Sequence, residues 1–389
     1  MEAIPFHRPF IGTEEEDAAL RVLRSGWLTT GKEALAFEEE FRGFLSGKNA
    51  PGDLFCLAVN SATSGLHLAL EALGIGPGDA VLLPSYTFTA TAEVVRYLGA
   101  EVIFVDIAEG SYNIDPQALE SAIAGLNKTA ALQPKAIIAV HFGGLPCDMA
   151  AINDIAKKYG LFVIEDAAHA FPARTPTGQW AGCCGDIGVF SFYATKTITT
   201  GEGGMVVTAR KETASRISIM RSHGIDRSVW NRYTDTGSSW YYEVVAPGFK
   251  YNLPDLLAAV GRVQLGRAME LLSMRQKIAE RYDKAFANQK NIIISPSGGA
   301  RHLYTVRLVD AAQRDSFIES LRKEGIGTSV HFIPLHIMPY YRERYHFKPE
   351  DFPHSYRRYL ETVSLPIWPG MTEAQIDRVI EAVIAIGLE

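Results

Sequence analysis

The 389-residue chain is poor in cysteine, and its four thiols, Cys56, Cys147, Cys183 and Cys184, show neither CxxC nor Cys/His ligand spacing. That excludes a zinc ribbon and a disulfide framework, and the adjacent Cys183-Cys184 pair could bridge only with strain. Reduced, mostly buried thiols are expected, and no metal. No run of eighteen apolar residues occurs, so no spanning helix and no membrane partner is expected. The opening Met1-Glu2-Ala3-Ile4-Pro5-Phe6-His7 has neither the basic start nor the apolar stretch of a secretory signal, which favours the cytoplasm. Positive charge is not in excess either. The 38 Lys+Arg are scattered against 44 Asp+Glu, for a net charge of −6, which leaves no basic stripe to track a nucleic acid. Repeats, low-complexity tracts and long linkers are absent as well.

What remains is an ordinary globular composition, 47% hydrophobic and 21% charged, on a chain long enough to divide into two domains. Over the first 250 residues short apolar runs alternate with amphipathic stretches, the pattern of βα units that build a mostly parallel sheet. Strands are expected at Ala80–Pro84, Val102–Asp106, Ala136–Val140, Leu161–Glu165, Ile187–Ser191 and Met205–Thr208. Several end abruptly in small or polar residues, and in an open α/β sheet ligands gather beyond the carboxyl ends of the strands. Near Pro247–Pro254 the composition changes, and one long helix is expected from about Asp255 to Ala287. The domain boundary is placed inside that helix: residues 1–255 form a large domain and 256–389 a small α+β one that starts in it. The small domain should hold a strand at Leu303–Val309, a helix at Arg314–Glu324 and a capping box at Thr372–Gln375.

Lys196 lies in Ser191-Phe192-Tyr193-Ala194-Thr195-Lys196, ahead of Thr200-Gly201-Glu202-Gly203-Gly204. About thirty residues upstream a strand ends in Glu165-Asp166-Ala167-Ala168-His169. A lysine that can form a Schiff base and a carboxylate that can hold a pyridine nitrogen protonated are what pyridoxal 5'-phosphate (PLP) chemistry most needs from a protein. A P-loop is excluded because the glycines follow Lys196; they suggest a tight turn that leaves it exposed on a loop between two strands. In Asn60-Ser61-Ala62-Thr63-Ser64-Gly65, small hydroxyl residues precede a helical Leu66, Leu70, Leu73 pattern. Thr63 and Ser64 then fall on a first turn whose free amides suit a phosphate monoester. A plain N-cap would read the same. A nicotinamide oxidoreductase is disfavoured, since Gly74-Ile75-Gly76-Pro77-Gly78 precedes its strand.

The ordered set Ser25–Gly31, Pro84–Phe88, Glu165–His169, Ser191–Lys196 and Thr200–Gly204 resembles the nucleotide-sugar aminotransferases of the DegT/DnrJ/EryC1/StrS family. The likeness continues through Gly248–Asn252, His331–Tyr341 and Ser364–Pro366. It implies an α/β enzyme of PLP fold type I, aspartate-aminotransferase-like, working as a homodimer with shared active sites. By position it implies Lys196 as the Schiff-base lysine, Asp166 as partner of the pyridine nitrogen and Phe88 as the aromatic on the ring. Thr63, Ser64 and Ser191 would hold the phosphate. His169, where many relatives have Gln, would lie near the phenolic oxygen and donate only in the right tautomer.

Lys250-Tyr251-Asn252 replaces the Asn-Tyr-Arg of many relatives, in a segment that reaches the other subunit's phosphate; Lys250 or Asn252 could serve. Trp27, Thr30, His331 and His336 stand where relatives meet substrate. The implied reaction moves an amino group, with L-glutamate the expected donor, to a nucleotide-linked keto sugar, at C4 of a 4-keto-6-deoxy sugar or else at C3. A PLP sugar dehydratase of the same family would have histidine in place of Lys196. A non-catalytic regulator need not keep Lys196, Asp166 and the phosphate loop together.

Overall fold

A computed structural model describes residues 2–46, 53–129, 131–226, 241–294, 296 and 298–387. Seven strands form the main sheet: β1 (Phe55–Val59), β2 (Asp79–Pro84), β3 (Glu101–Val105), β4 (Gln133–Val140), β5 (Phe162–Asp166), β6 (Ile187–Ser191) and β7 (Gly204–Thr208). Their order across the sheet is β1-β7-β6-β5-β4-β2-β3. The five strands from β3 to β6 pair in parallel, whereas β7 runs antiparallel to both β6 and β1. The expected parallel sheet is therefore present with one reversed strand and an additional edge strand, β1.

Helices α1 (Thr13–Ser25), α2 (Lys32–Leu45), α3 (Ala62–Ala72), α4 (Ala90–Tyr97), α5 (Pro116–Thr129), α6 (Met149–Tyr159) and α7 (Lys211–Met220) precede or flank this sheet. Strands β2, β6 and β7 are buried along their whole length, the sign of a sheet covered on both faces. Helix α3 lies close against it. A Cβ at Gly65 would sit 2.8 Å from Val189 Cγ1, so only glycine lets the helix approach this far. That approach brings the N-terminus of α3 to the carboxyl ends of the central strands.

The single long helix expected over 255–287 is two helices, α8 (Asp255–Gly266) and α9 (Ala268–Phe286). They part at Arg267, whose φ/ψ of −103°/5° is non-helical and whose N–H turns back to the Gln264 carbonyl. Asp255 at the head of α8 accepts N–H groups of Gly31, Glu33 and Ala34, capping α2 from a distance of more than two hundred residues. Farther on, β8 (Ile292–Ile294), β9 (Tyr304–Leu308) and β10 (Thr362–Leu365) form a separate antiparallel sheet. It packs with α9, α10 (Arg314–Lys323) and α13 (Glu373–Gly387) around Ile278, Tyr282, Phe317, Val379 and Val383. Thr372 and Gln375 form the expected capping box before α13. Two short helices follow: α11 (Pro339–Tyr345), whose Tyr341 joins the core of the main sheet, and α12 (Pro353–Glu361), which contacts β9.

Candidate active site

At the carboxyl ends of β4, β5 and β6 lies a cavity of about 590 Å³, a size suited to a cofactor with a small substrate. Lys196, Asp166, His169, Phe88, Thr63, Ser191 and His331 all line it. These residues come from positions 63 to 331 of the sequence, and the strand ends gather them.

Helix α3 opens the anion end. Ser61 is its N-cap: its Oγ accepts the Ser64 N–H at 3.1 Å and its carbonyl accepts the Gly65 N–H at 3.1 Å. The amides of Ala62 and Thr63 point onward with the helix dipole behind them, and both residues line the cavity. Ser64 itself is a correction. Its Oγ donates to the Ser61 carbonyl at 2.7 Å and accepts the Ser61 N–H at 3.2 Å, so it completes a capping box and does not line the cavity. Beneath this turn Gly204 begins β7, where a Cβ would stand 2.8 Å from the Phe190 carbonyl and 2.9 Å from the Ala62 nitrogen.

Asp166 ends β5, buried, with Oδ2 accepting from Thr91 Oγ1 at 2.9 Å and Oδ1 from the Ala168 N–H at 3.2 Å. Burial raises its pKa, against the pull of Thr91 and Ala168 and of the charge on Lys196. Lys196 sits on the loop joining β6 to β7, but half-buried, contrary to the exposed position expected of it. Gly201 makes the turn at φ +84°. Burial lowers the Lys196 pKa to about 8, with Asp166 acting against the fall and Arg275 adding to it.

His169 accepts the Gly143 N–H on Nδ1 at 3.2 Å. Burial, then Lys196 and His331, hold its pKa well below the ordinary value, so the ring is neutral. With Nδ1 accepting, the proton resides on Nε2, the donor tautomer that the ring oxygen of a pyridine cofactor requires. His331 hydrogen-bonds Ser364 Oγ through Nδ1 at 2.9 Å and stacks on Phe6, and burial lowers its pKa to about 4.

Five other expected residues, His336, Thr30, Asn252, Lys250 and Trp27, lie away from this chain's cavity. His336 is fully buried against Phe352, in the core under the main sheet, where apolar packing has absorbed it. Thr30 donates to the Leu253 carbonyl and accepts from Asn252 Nδ2 at 2.5 Å, so this pair braces a loop. Lys250 is exposed and Trp27 half-buried, and neither lines the cavity. Conversely, the sequence reading passed over Ser61, Thr91, Glu202 and His302. Ser61 and Glu202 sit within motifs already noticed, Asn60–Gly65 and Thr200–Gly204; Thr91 lies just beyond Pro84–Phe88, and His302 carries no local signal. Among the described residues no cluster of side chains suited to a metal occurs, and no helix is long and apolar enough to cross a membrane.

A free helix N-terminus for a phosphate, a buried carboxylate for a ring nitrogen, an aromatic face and an amine within one cavity fit PLP group by group. Comparison with known proteins agrees. The model of the DegT/DnrJ/EryC1/StrS aminotransferase family matches residues 9–384. The spore coat polysaccharide biosynthesis protein SpsC of Bacillus subtilis is 44% identical over 388 residues, covering 98% of this chain and 96% of that protein. Among solved structures, the PMP-form of the putative sugar aminotransferase Spr1654 from Streptococcus pneumoniae superposes with a TM-score of 0.90 at 30% identity, over 99% of both chains. Helicobacter pylori PseC, an aminotransferase of pseudoaminic acid biosynthesis, does so with 0.88 at 27% identity over the whole of both.

Proposed function

The chain belongs to the DegT/DnrJ/EryC1/StrS aminotransferase family and is a PLP-dependent sugar aminotransferase, and from that premise we propose that it transfers the amino group of L-glutamate to a nucleotide-linked keto sugar. The carbon aminated is C4 of a 4-keto-6-deoxy sugar, and the working form is a homodimer with shared active sites. The convergence of Lys196, Asp166 and the Ala62 and Thr63 amides on one cavity carries this reading. Likeness of Lys250-Tyr251-Asn252 and Glu165–His169 to C4-aminating members supports the position. The name of SpsC, a polysaccharide biosynthesis protein, supports an activated sugar as acceptor.

When bound, PLP supplies an aldehyde that takes up the amino group and a ring that accepts electrons from the carbon losing its proton. The amides of Ala62 and Thr63, with the hydroxyls of Thr63 and Ser191, would hold its phosphate. Asp166 would face the ring nitrogen, keeping a proton there. Phe88 would cover the ring, and His169 would donate from Nε2 to the ring oxygen. Lys196 Nζ, with its pKa lowered to about 8, takes the proton from the donor's α-carbon and delivers it again within the same cavity.

Keto sugars linked to UDP, dTDP and GDP, each supplied with L-glutamate and read by product NMR, test the reading. An amine appearing at C4 of one of them supports it. Amination at C3, or turnover with none, overturns the substrate assignment.

A further inference from the structure

Arg275, on α9, is among the described residues the largest side chain fully withdrawn from solvent. Its guanidinium meets only backbone oxygens. Nη1 donates to the carbonyls of His302 at 3.2 Å and Ile367 at 2.9 Å, and Nη2 to the Thr195 carbonyl at 3.4 Å. Its Nε has no partner, and among the described residues no carboxylate pairs with it. Burial lowers its pKa to about 9, still above neutrality, so it stays a cation. A buried, unpaired charge is costly where a methionine would fill the same space. The three carbonyls explain its place: one belongs to the residue before Lys196, one to a cavity wall residue and one to the strand exit beyond β10.

We propose that Arg275 is a positioning residue for Lys196, gripping the peptide that carries the lysine and setting a fixed positive charge behind its amine. The inference rests on Lys196 being the reactive amine. Asp166, from β5, is the carboxylate that attracts a proton to that amine, and Arg275, from α9, opposes it. Glu202 lies on the same loop as Lys196 and also lines the cavity. The surrounding imidazoles, His7, His169, His302 and His331, are held neutral by burial and neither attract nor repel the proton strongly. His141 differs: burial lowers its pKa, but Cys147 and Glu165 outweigh that and raise it to about 10, and its Nε2 lies 2.9 Å from Glu165, so its charge is matched by that carboxylate. The charges that act on Lys196 are therefore few, and removing Arg275 leaves Asp166 opposed by burial alone.

Competitive acetylation of the cofactor-free protein across pH, read at the Lys196 peptide by mass spectrometry, reports how much of the amine is free. Wild type should reach half-maximal reactivity near pH 8. Arg275→Met should move that point up by about one unit, a tenfold loss of free amine at a given pH, and Arg275→Lys should restore it. A folded Arg275→Met protein with an unmoved point overturns the proposal. If the methionine variant does not fold, Arg275→Lys decides alone: an unmoved point supports the proposal, and a one-unit rise with the charge retained overturns it. The premise is tested separately by borohydride reduction of PLP-loaded wild type, which should fix the cofactor to Lys196 and to no other residue.

Discussion

Thr91 Oγ1 donates to Asp166 Oδ2 at 2.9 Å, and because its one hydrogen is spent there, the 2.8 Å contact with Thr87 runs from Thr87 to Thr91. A two-hydroxyl relay, from Thr87 on the β2–α4 loop to Thr91 in the first turn of α4, thus stabilises the ionised form of the buried acid. Thr91→Val should raise the Asp166 pKa further. Because a hydrogen bond to a charged group contributes about 1.5–3 kcal/mol, kcat/KM should fall about tenfold to a hundredfold. Steady-state kinetics with PLP in excess checks this.

Lys196→Ala should lower turnover by about a hundredfold to ten-thousandfold, the range for removal of a positioned proton-transfer group, while leaving noncovalent cofactor binding in place. Equilibrium dialysis against PLP, run beside the kinetic assay, separates the two effects.

At the helix N-terminus, neighbouring hydroxyls should part company. Ser64→Ala removes half of a capping box and should cost about 1 kcal/mol of stability with little change in PLP affinity. Thr63→Val should weaken PLP binding with little change in melting temperature. Calorimetry and a PLP titration on both variants discriminate these outcomes, and equal effects would return Ser64 to the phosphate site.

Acid should unfold the cofactor-free protein through its buried histidines. The folded pKa values of His7, His331 and His336 are lowered to about 4, each mainly by burial, from an ordinary 6.5. Below pH 6.5 the unfolded chain therefore binds protons that the folded one refuses. Melting temperature should fall as pH drops from about 6.5 to about 4. His336→Leu should lessen that fall and leave the KM for the keto sugar unchanged.

Shared sites in a dimer predict complementation. Lys196→Ala protein mixed with an Asn252→Ala, Lys250→Ala double variant should recover activity that neither shows alone, because a mixed dimer holds one site with both lesions and one with neither. Subunit exchange followed by an activity assay detects it.

The strand ends and the chemistry they carry were legible because Asp166, Lys196 and Thr63 each sit beside a local punctuation mark: a strand terminus, a glycine turn, a helix start. The mostly parallel sheet followed from the same alternation. Hydrophobic periodicity could not locate the break at Arg267, since the apolar pattern runs through it and only backbone dihedrals reveal the interruption. Nor could it distinguish Ser64 from Thr63, which differ by a rotation of about 100° around one helix axis. His336 misled because a histidine beside Pro334 and Leu335 looks alike whether it faces a ligand or a phenylalanine. Arg275 and His302 stayed hidden because their meaning comes from partners 27 to 92 residues distant.

The absence of a side chain at Gly204 has a consequence for how this enzyme can diversify. One methyl group there would press on the Ala62 nitrogen and disturb the anion cradle, so this position tolerates almost no change. Elsewhere the cavity has a rim made of side chains, where Phe6, Ser329, His331 and Phe332 gather from two distant parts of the chain. Preference for one sugar over another can drift along that rim while the grip on the cofactor is inherited unaltered.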